Sequence, residues 1–157
     1  MSGKAARRRA REFALQGVYQ WLLSGNSARS IETQFETVTG FDKADRELFI
    51  ELLRGTTNNR DALQAEFAPL LSRGISELSP VEHAILLLST HELQTRPETP
   101  YRVVINEAIE LAKAYGGTDG HRFVNGVLDK LAARLRAVEV NAGRDATPKG
   151  TPPAGEE

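Results

Sequence analysis

The sequence predicts an all-α fold, and three observations lead there. No segment alternates apolar and polar residues with period two over a strand's length. Apolar residues recur at helical spacing instead, as in Val124, Val127, Leu128, Leu131 and Leu135, an i, i+3, i+4, i+7, i+11 stripe. Helix boundaries are marked by cap residues and prolines, most clearly at Ser79-Pro80-Val81-Glu82.

Taken in order, the first helix should run from about Ala5 to Leu23 and stop at Ser24-Gly25-Asn26. A short helix around Ser30 to Val38 ends before Gly40, and Asp42 is placed to cap a third that carries Leu48, Phe49, Leu52 and Leu53. Asn58-Asn59 should break or bend it before a fourth, with Leu63, Phe67 and Leu70 as its apolar set. Pro69, Ser72, Gly74 and Ser79 mark a seam between helical subdomains of about 4–72 and 79–138. At Ser79 the N-cap serine, Pro80 at the first helical position and Glu82 three residues after the cap form a capping box, and that helix should end at Pro97. Thr99-Pro100 repeats the pairing of cap residue and proline and opens a helix with Val104, Ala108, Leu111 and Tyr115 along one side, closed by Gly116-Gly117 as a left-handed cap. Seven helices or so thus make one domain over 1–140. From Asn141 the chain has nothing to pack, so 141–157 reads as a disordered tail.

At 157 residues this is one domain's worth of chain, with 40% apolar and 26% charged residues and a net charge of −1. Attraction for nucleic acid must therefore come from the placement of charge and not from its sum. The absence of cysteine excludes disulfides, thiolate metal sites and cysteine nucleophiles, and agrees with a reducing cytoplasm. The basic N-terminus lacks the apolar run and cleavage site of a signal peptide, and the densest apolar run, Ala84 to Leu88, is too short to span a membrane.

No catalytic constellation assembles. His91-Glu92 begins like a zinc-protease motif, but Thr95 stands where the second histidine belongs. His83, His91 and His121 are read as surface or internally satisfied histidines, and no metal or cofactor is expected. "GGTDG" (Gly116 to Gly120) follows a helix and precedes no Lys-Ser/Thr, so it reads as a tight turn and not a phosphate loop. Glu107 and Glu110 are most simply solvated.

The chain's strongest local feature is its start. Lys4, Arg7, Arg8, Arg9 and Arg11 fall within the first eleven residues with no acid among them, and Phe13, Leu15, Val18, Tyr19 and Trp21 follow without a break. On a helical wheel Ala10, Phe13, Ala14, Gly17 and Trp21 form the core face, with Arg8, Glu12, Leu15 and Tyr19 nearly opposite. Cations beside an aromatic ring suit single-stranded nucleic acid. Two readings of Tyr19 stand: a stacking platform, or a core residue of a helix sandwiched between two layers. Phe123, at the edge of the last helix's apolar stripe beside His121 and Arg122, poses the same choice.

"AARRRARE", "PYRVVINEAIELAKAYG" and "HRFVNGVLDKLA" resemble the NusB family of bacterial transcription antitermination factors, and the similarity runs from Lys4 to about Arg136. The resemblance implies a NusB-like fold of two helical subdomains and no enzymatic activity. It implies binding to boxA, a short single-stranded RNA element of ribosomal RNA operon leaders, together with NusE. It also implies assembly with NusA, NusG and RNA polymerase. The RNA-binding residues it implies are Lys4, Arg7, Arg8, Arg9, Arg11, Tyr19, Asp119 and Phe123. Tyr19 and Glu82 also fall on the implied surface for NusE or RNA, although Glu82 is equally the capping-box residue. Leu70 stands where family members carry an aromatic, and His83 and Leu87 where they carry cations. The alternatives are a helical protein-interaction module, or the NusB-like domain of a ribosomal RNA methyltransferase; the chain stops before such a catalytic domain would begin. A homodimer that hides the arginine-and-tyrosine face is the alternative to a monomer.

Overall fold

Twenty-one residues, Lys4–Ser24, form the first helix (α1) of the computed structural model, which describes residues 3–117 and 119–146. It is followed by α2 (Ala28–Phe35), α3 (Arg46–Asn58), α4 (Arg60–Phe67), α5 (Pro80–Thr95), α6 (Tyr101–Tyr115), α7 (Gly120–Leu135) and α8 (Ala137–Ala146). Short 3-10 turns occupy Phe41–Lys43, Ala68–Leu70 and Ile75–Glu77, and no strand occurs among the described residues. The all-α expectation holds, with one helix more than expected.

α5 is the centre. Ala84 through Leu93 are buried without a gap, which is how a helix reads when neighbours cover it all round. α1, α3 and α4 pack on it from one half of the chain, α6 and α7 from the other. The apolar core is one cluster running from Ala10 to Val140. The irregular stretch after α4 therefore joins two sets of helices that share a core. The capping box forms as expected: the Glu82 amide donates to Ser79 Oγ at 3.1 Å, and the Ser79 amide donates to Glu82 Oε1 at 3.1 Å.

Four boundaries differ from expectation. Asp45 caps α3, its Oδ1 accepting from the Leu48 amide at 3.0 Å, while Asp42 sits in the 3-10 turn. The turn buries Phe41 against Phe13 and Phe49, and that burial delays the helix by one turn. α2 spans Ala28–Phe35, starting earlier than expected because Ser27 caps it. Thr99 does not cap α6. The free Tyr101 amide donates instead to Glu139 Oε2 of α8 at 2.8 Å, a cap supplied from another helix.

The fourth difference is α8 itself. Residues 141–146, expected to open a disordered tail, belong instead to the helix that runs from Ala137 to Ala146; the remainder of that expectation, 147–157, lies outside the described residues. α8 is held by Val140 in the core and by Arg136, whose guanidinium donates to the carbonyls of Leu93, Arg96 and Thr99 and pairs with Glu139 at 2.6 Å. Those carbonyls include the otherwise unsatisfied end of α5, so one arginine closes that helix and orients the next. At the far end of α6, Gly117 has φ 82, the left-handed conformation expected of the Gly116-Gly117 turn.

Candidate RNA interface

α1 carries its cations at its N-terminus, where four orphan amides already place partial positive charge. Cations there oppose the helix dipole by about 0.3–1 kcal/mol each, so helix stability does not explain them. The segment is nonetheless firmly folded. The Asp45 amide donates to the Ala6 carbonyl at 3.0 Å, fastening this end of α1 to the start of α3.

The four arginines divide by environment. Arg11 is buried (6% exposed) and forms a two-bond fork to Glu92 of α5, Nε to Oε2 at 2.8 Å and Nη2 to Oε1 at 2.9 Å. Burial disfavours its charge, but the bonds and the field of Glu92 prevail and raise its pKa above the ordinary arginine value. The family resemblance implies an RNA-binding role for Arg11; in the structure its side chain lies inside the fold, as an internal tie between α1 and α5. Arg8 lies a turn outward, its side chain 46% exposed, forked to Glu107 of α6 by Nε at 3.1 Å and Nη2 at 2.8 Å. Lys4 and Arg9 are exposed, with no ion pair among the described residues; Arg7 is half-buried.

Glu107 is thus not solvated, as its sequence position suggested, but 8% exposed. Burial would raise its pKa, yet the hydrogen bonds and charge of Arg8, with Arg11 and Lys4 beyond, hold the carboxyl below the usual carboxylate range. The reason the sequence misled is distance: Arg8 and Glu107 are 99 residues apart in the chain.

Farther along α1 the aromatic half of the surface appears. Tyr19 is 38% exposed, so it is neither a core residue nor fully free, while its stripe-mate Leu15 is buried. Both line a groove of about 330 Å³ with Gln16, Val81 and Tyr115. Tyr115, expected on the inner side of α6, is 43% exposed, and its hydroxyl accepts from Gln16 Nε2 at 3.5 Å. Sequence reading missed it as a surface ring; the signal was its place as the last helical residue before Gly116, where the helix runs out of neighbours.

Glu82 and Phe123 come together through a residue the sequence did not single out. Arg73 Nη2 lies 3.3 Å from Glu82 Oε1, and its guanidinium carbon sits 4.5 Å from the centre of the Phe123 ring. One face of that ring is thereby covered by a cation, and Glu82 serves its capping box and Arg73 at once. Asp119 is exposed beside the first turn of α7 and makes no side-chain cap bond. Of the substituted positions, Leu87 is fully buried, so its being apolar alters no surface, and His83 Nε2 meets Gln64 Oε1 at 2.7 Å. Leu70 lines a smaller groove, of about 190 Å³, with Ser72, Arg122, Phe123 and Lys130.

Fold and surface together define an all-α domain, organised around one central helix, that gathers cations and aromatic rings along the α1–α6 seam and at the start of α7. The chain belongs to the NusB family: the model of that family matches residues 8–133. Among curated relatives, the transcription antitermination protein NusB of Aromatoleum aromaticum is 75% identical over 144 residues, covering 92% of this chain and 99% of that protein. The NusB protein of Azoarcus sp. is 72% identical over 145 residues, covering 92% and 94%. A solved structure of NusB from T. maritima superposes with a TM-score of 0.73 at 29% identity, covering 85% of this chain and 94% of that one.

Proposed function

We propose that this protein is a transcription antitermination factor that binds single-stranded boxA RNA jointly with NusE, and that it works by binding and not by catalysis. The relatives carry the antitermination name over nearly their full length. The observation that carries the RNA reading is the cationic first turn of α1, where charge costs the helix stability, continuing on the same helix to an exposed tyrosine. The phosphate contacts fall to Lys4, Arg7, Arg8 and Arg9, and the stacking contacts to Tyr19 and Phe123. Asp119 and Glu82 border the same surface, where NusE completes the grip. NusA, NusG and RNA polymerase then join the assembly.

The test is titration of a labelled boxA strand against a scrambled strand of equal composition, with and without purified NusE. Preference for boxA, sharpened by NusE, is expected. Equal weak binding to both strands, unaffected by NusE, would leave a helical protein-interaction module instead.

A further inference from the structure

Glu107 stands out among the residues the RNA reading leaves without a role. It is a nearly buried carboxylate beside a cationic, exposed surface, where a negative charge by itself repels RNA. Both of its oxygens are used, and both by Arg8. The bonds come from Nε and Nη2, the side edge of the guanidinium. A guanidinium has five N–H donors in a fixed plane. Side-on pairing consumes two of them and leaves Nη1 and the outer hydrogen of Nη2, the end edge, free to form a second fork. That end edge has the geometry that matches two oxygens of a phosphate.

We infer that Glu107 is a positioning residue, which grips Arg8 side-on and so aims the end edge of its guanidinium at an RNA phosphate. The inference rests on the RNA reading above. A free arginine on a helix surface samples many rotamers and must surrender them on binding, whereas Arg8 is already ordered when the strand arrives. Glu107 is itself well placed to act as an anchor. It projects from α6 in the middle of the helix, is enclosed by the fold, and stays ionised because Arg8 holds its pKa down.

The sign of the effect separates positioning from plain charge. Removing a carboxylate beside the RNA path strengthens binding if charge alone matters; it weakens binding if the carboxylate aims the arginine. Expected for Glu107→Gln is boxA affinity lower by about two- to tenfold, the immobilisation cost of one long side chain. In an Arg8→Ala background the same substitution should give no weakening, because nothing remains to aim. Arg8→Lys, which leaves Glu107 untouched and keeps the charge but not the fork, should lose affinity in the same range. Circular dichroism melts accompany each variant. Unchanged or tighter binding by Glu107→Gln overturns the inference, as does equal weakening in both backgrounds. If Glu107→Gln does not fold, wild-type affinity in Arg8→Lys overturns it alone. A wild type that ignores RNA altogether removes the RNA reading, and this inference with it.

Discussion

Replacing Arg11 by alanine should damage the fold and not the RNA contact, which is the reverse of what its place in the arginine run suggests. Arg11 and Glu92 have side-chain exposures of 7% and 5% and share two bonds of 2.8 and 2.9 Å. Removing one member of such a pair strands the other, at a cost of about 3–5 kcal/mol. For a chain of 157 residues each kcal/mol lowers the melting temperature by about 2–4 °C, so the fall should be roughly 6–20 °C. That is a large part of the ~5–15 kcal/mol by which domains are stable. The double variant Arg11→Met/Glu92→Leu should recover much of the loss, because an apolar pair of similar volume avoids the desolvation penalty altogether. Urea denaturation followed by circular dichroism gives the stability, and boxA titration under conditions where each variant is folded gives the affinity. Arg9→Ala is the control: exposed, it should leave stability within about 0.5 kcal/mol and weaken RNA binding. An Arg11→Ala protein that melts like wild type yet loses RNA as Arg9→Ala does would refute the assignment.

Three further outcomes are expected. Tyr19→Ala should lose about 1–3 kcal/mol of RNA affinity, one base–aromatic stack, while costing less stability than the ~3–5 kcal/mol of a fully buried aromatic; the reverse ranking in paired melts and titrations would make Tyr19 a core residue. Gly55→Ala would place a Cβ 2.1 Å from Cε1 of His91, so overpacking should destabilise the fold by about 1–3 kcal/mol, and His91→Ala in the same chain should relieve it; strictly additive losses in denaturation would contradict the contact. Burial lowers the pKa of both His83 and His91, with Arg60 adding to it at His83 and Glu51 opposing it at His91. The unfolded chain therefore takes up protons first. Stability should be full above the ordinary histidine value of about 6.5 and decline as pH falls from there through the lowered folded values, which urea midpoints at a series of pH values will read.

Helix positions were legible because local rules govern them. Ser79, Pro80 and Glu82 specify their cap within four residues, and the stripe on α7 needs no knowledge of what it packs against. Misplaced boundaries came from tertiary choices: Phe41 is buried and so moves the α3 cap from Asp42 to Asp45, and α6 takes its cap from Glu139, 38 residues away. α8 was missed for the same reason, since Val140 is the one buried apolar residue among the described side chains of the helix and Arg136 holds it through backbone carbonyls that no sequence pattern announces. On the candidate surface, the run of arginines and Tyr19 were visible at once. What sequence could not tell was which arginine is buried, because Glu92 and Glu107 lie 81 and 99 residues downstream of their partners. Nor could it reveal that Arg73 covers Phe123.

The contacts from α1 to α6 have equal offsets: Arg8 meets Glu107 and Gln16 meets Tyr115, each across 99 residues. Two helices bridged in this way advance in the same direction, and the Arg8–Glu107 fork sets the angle at which the basic turn of α1 faces α6. Each residue turns the helix by about 100°. Inserting or deleting one residue between Arg11 and Leu15 would therefore swing the whole basic turn about the helix axis. It would take Arg11 out of the core and Arg8 away from Glu107 in a single step. The charge of the basic turn can drift by substitution one side chain at a time, but its angular setting has no such gradual route. Length changes in relatives of this chain should accumulate in the connections after α2 and α4 and be absent from the interior of α1.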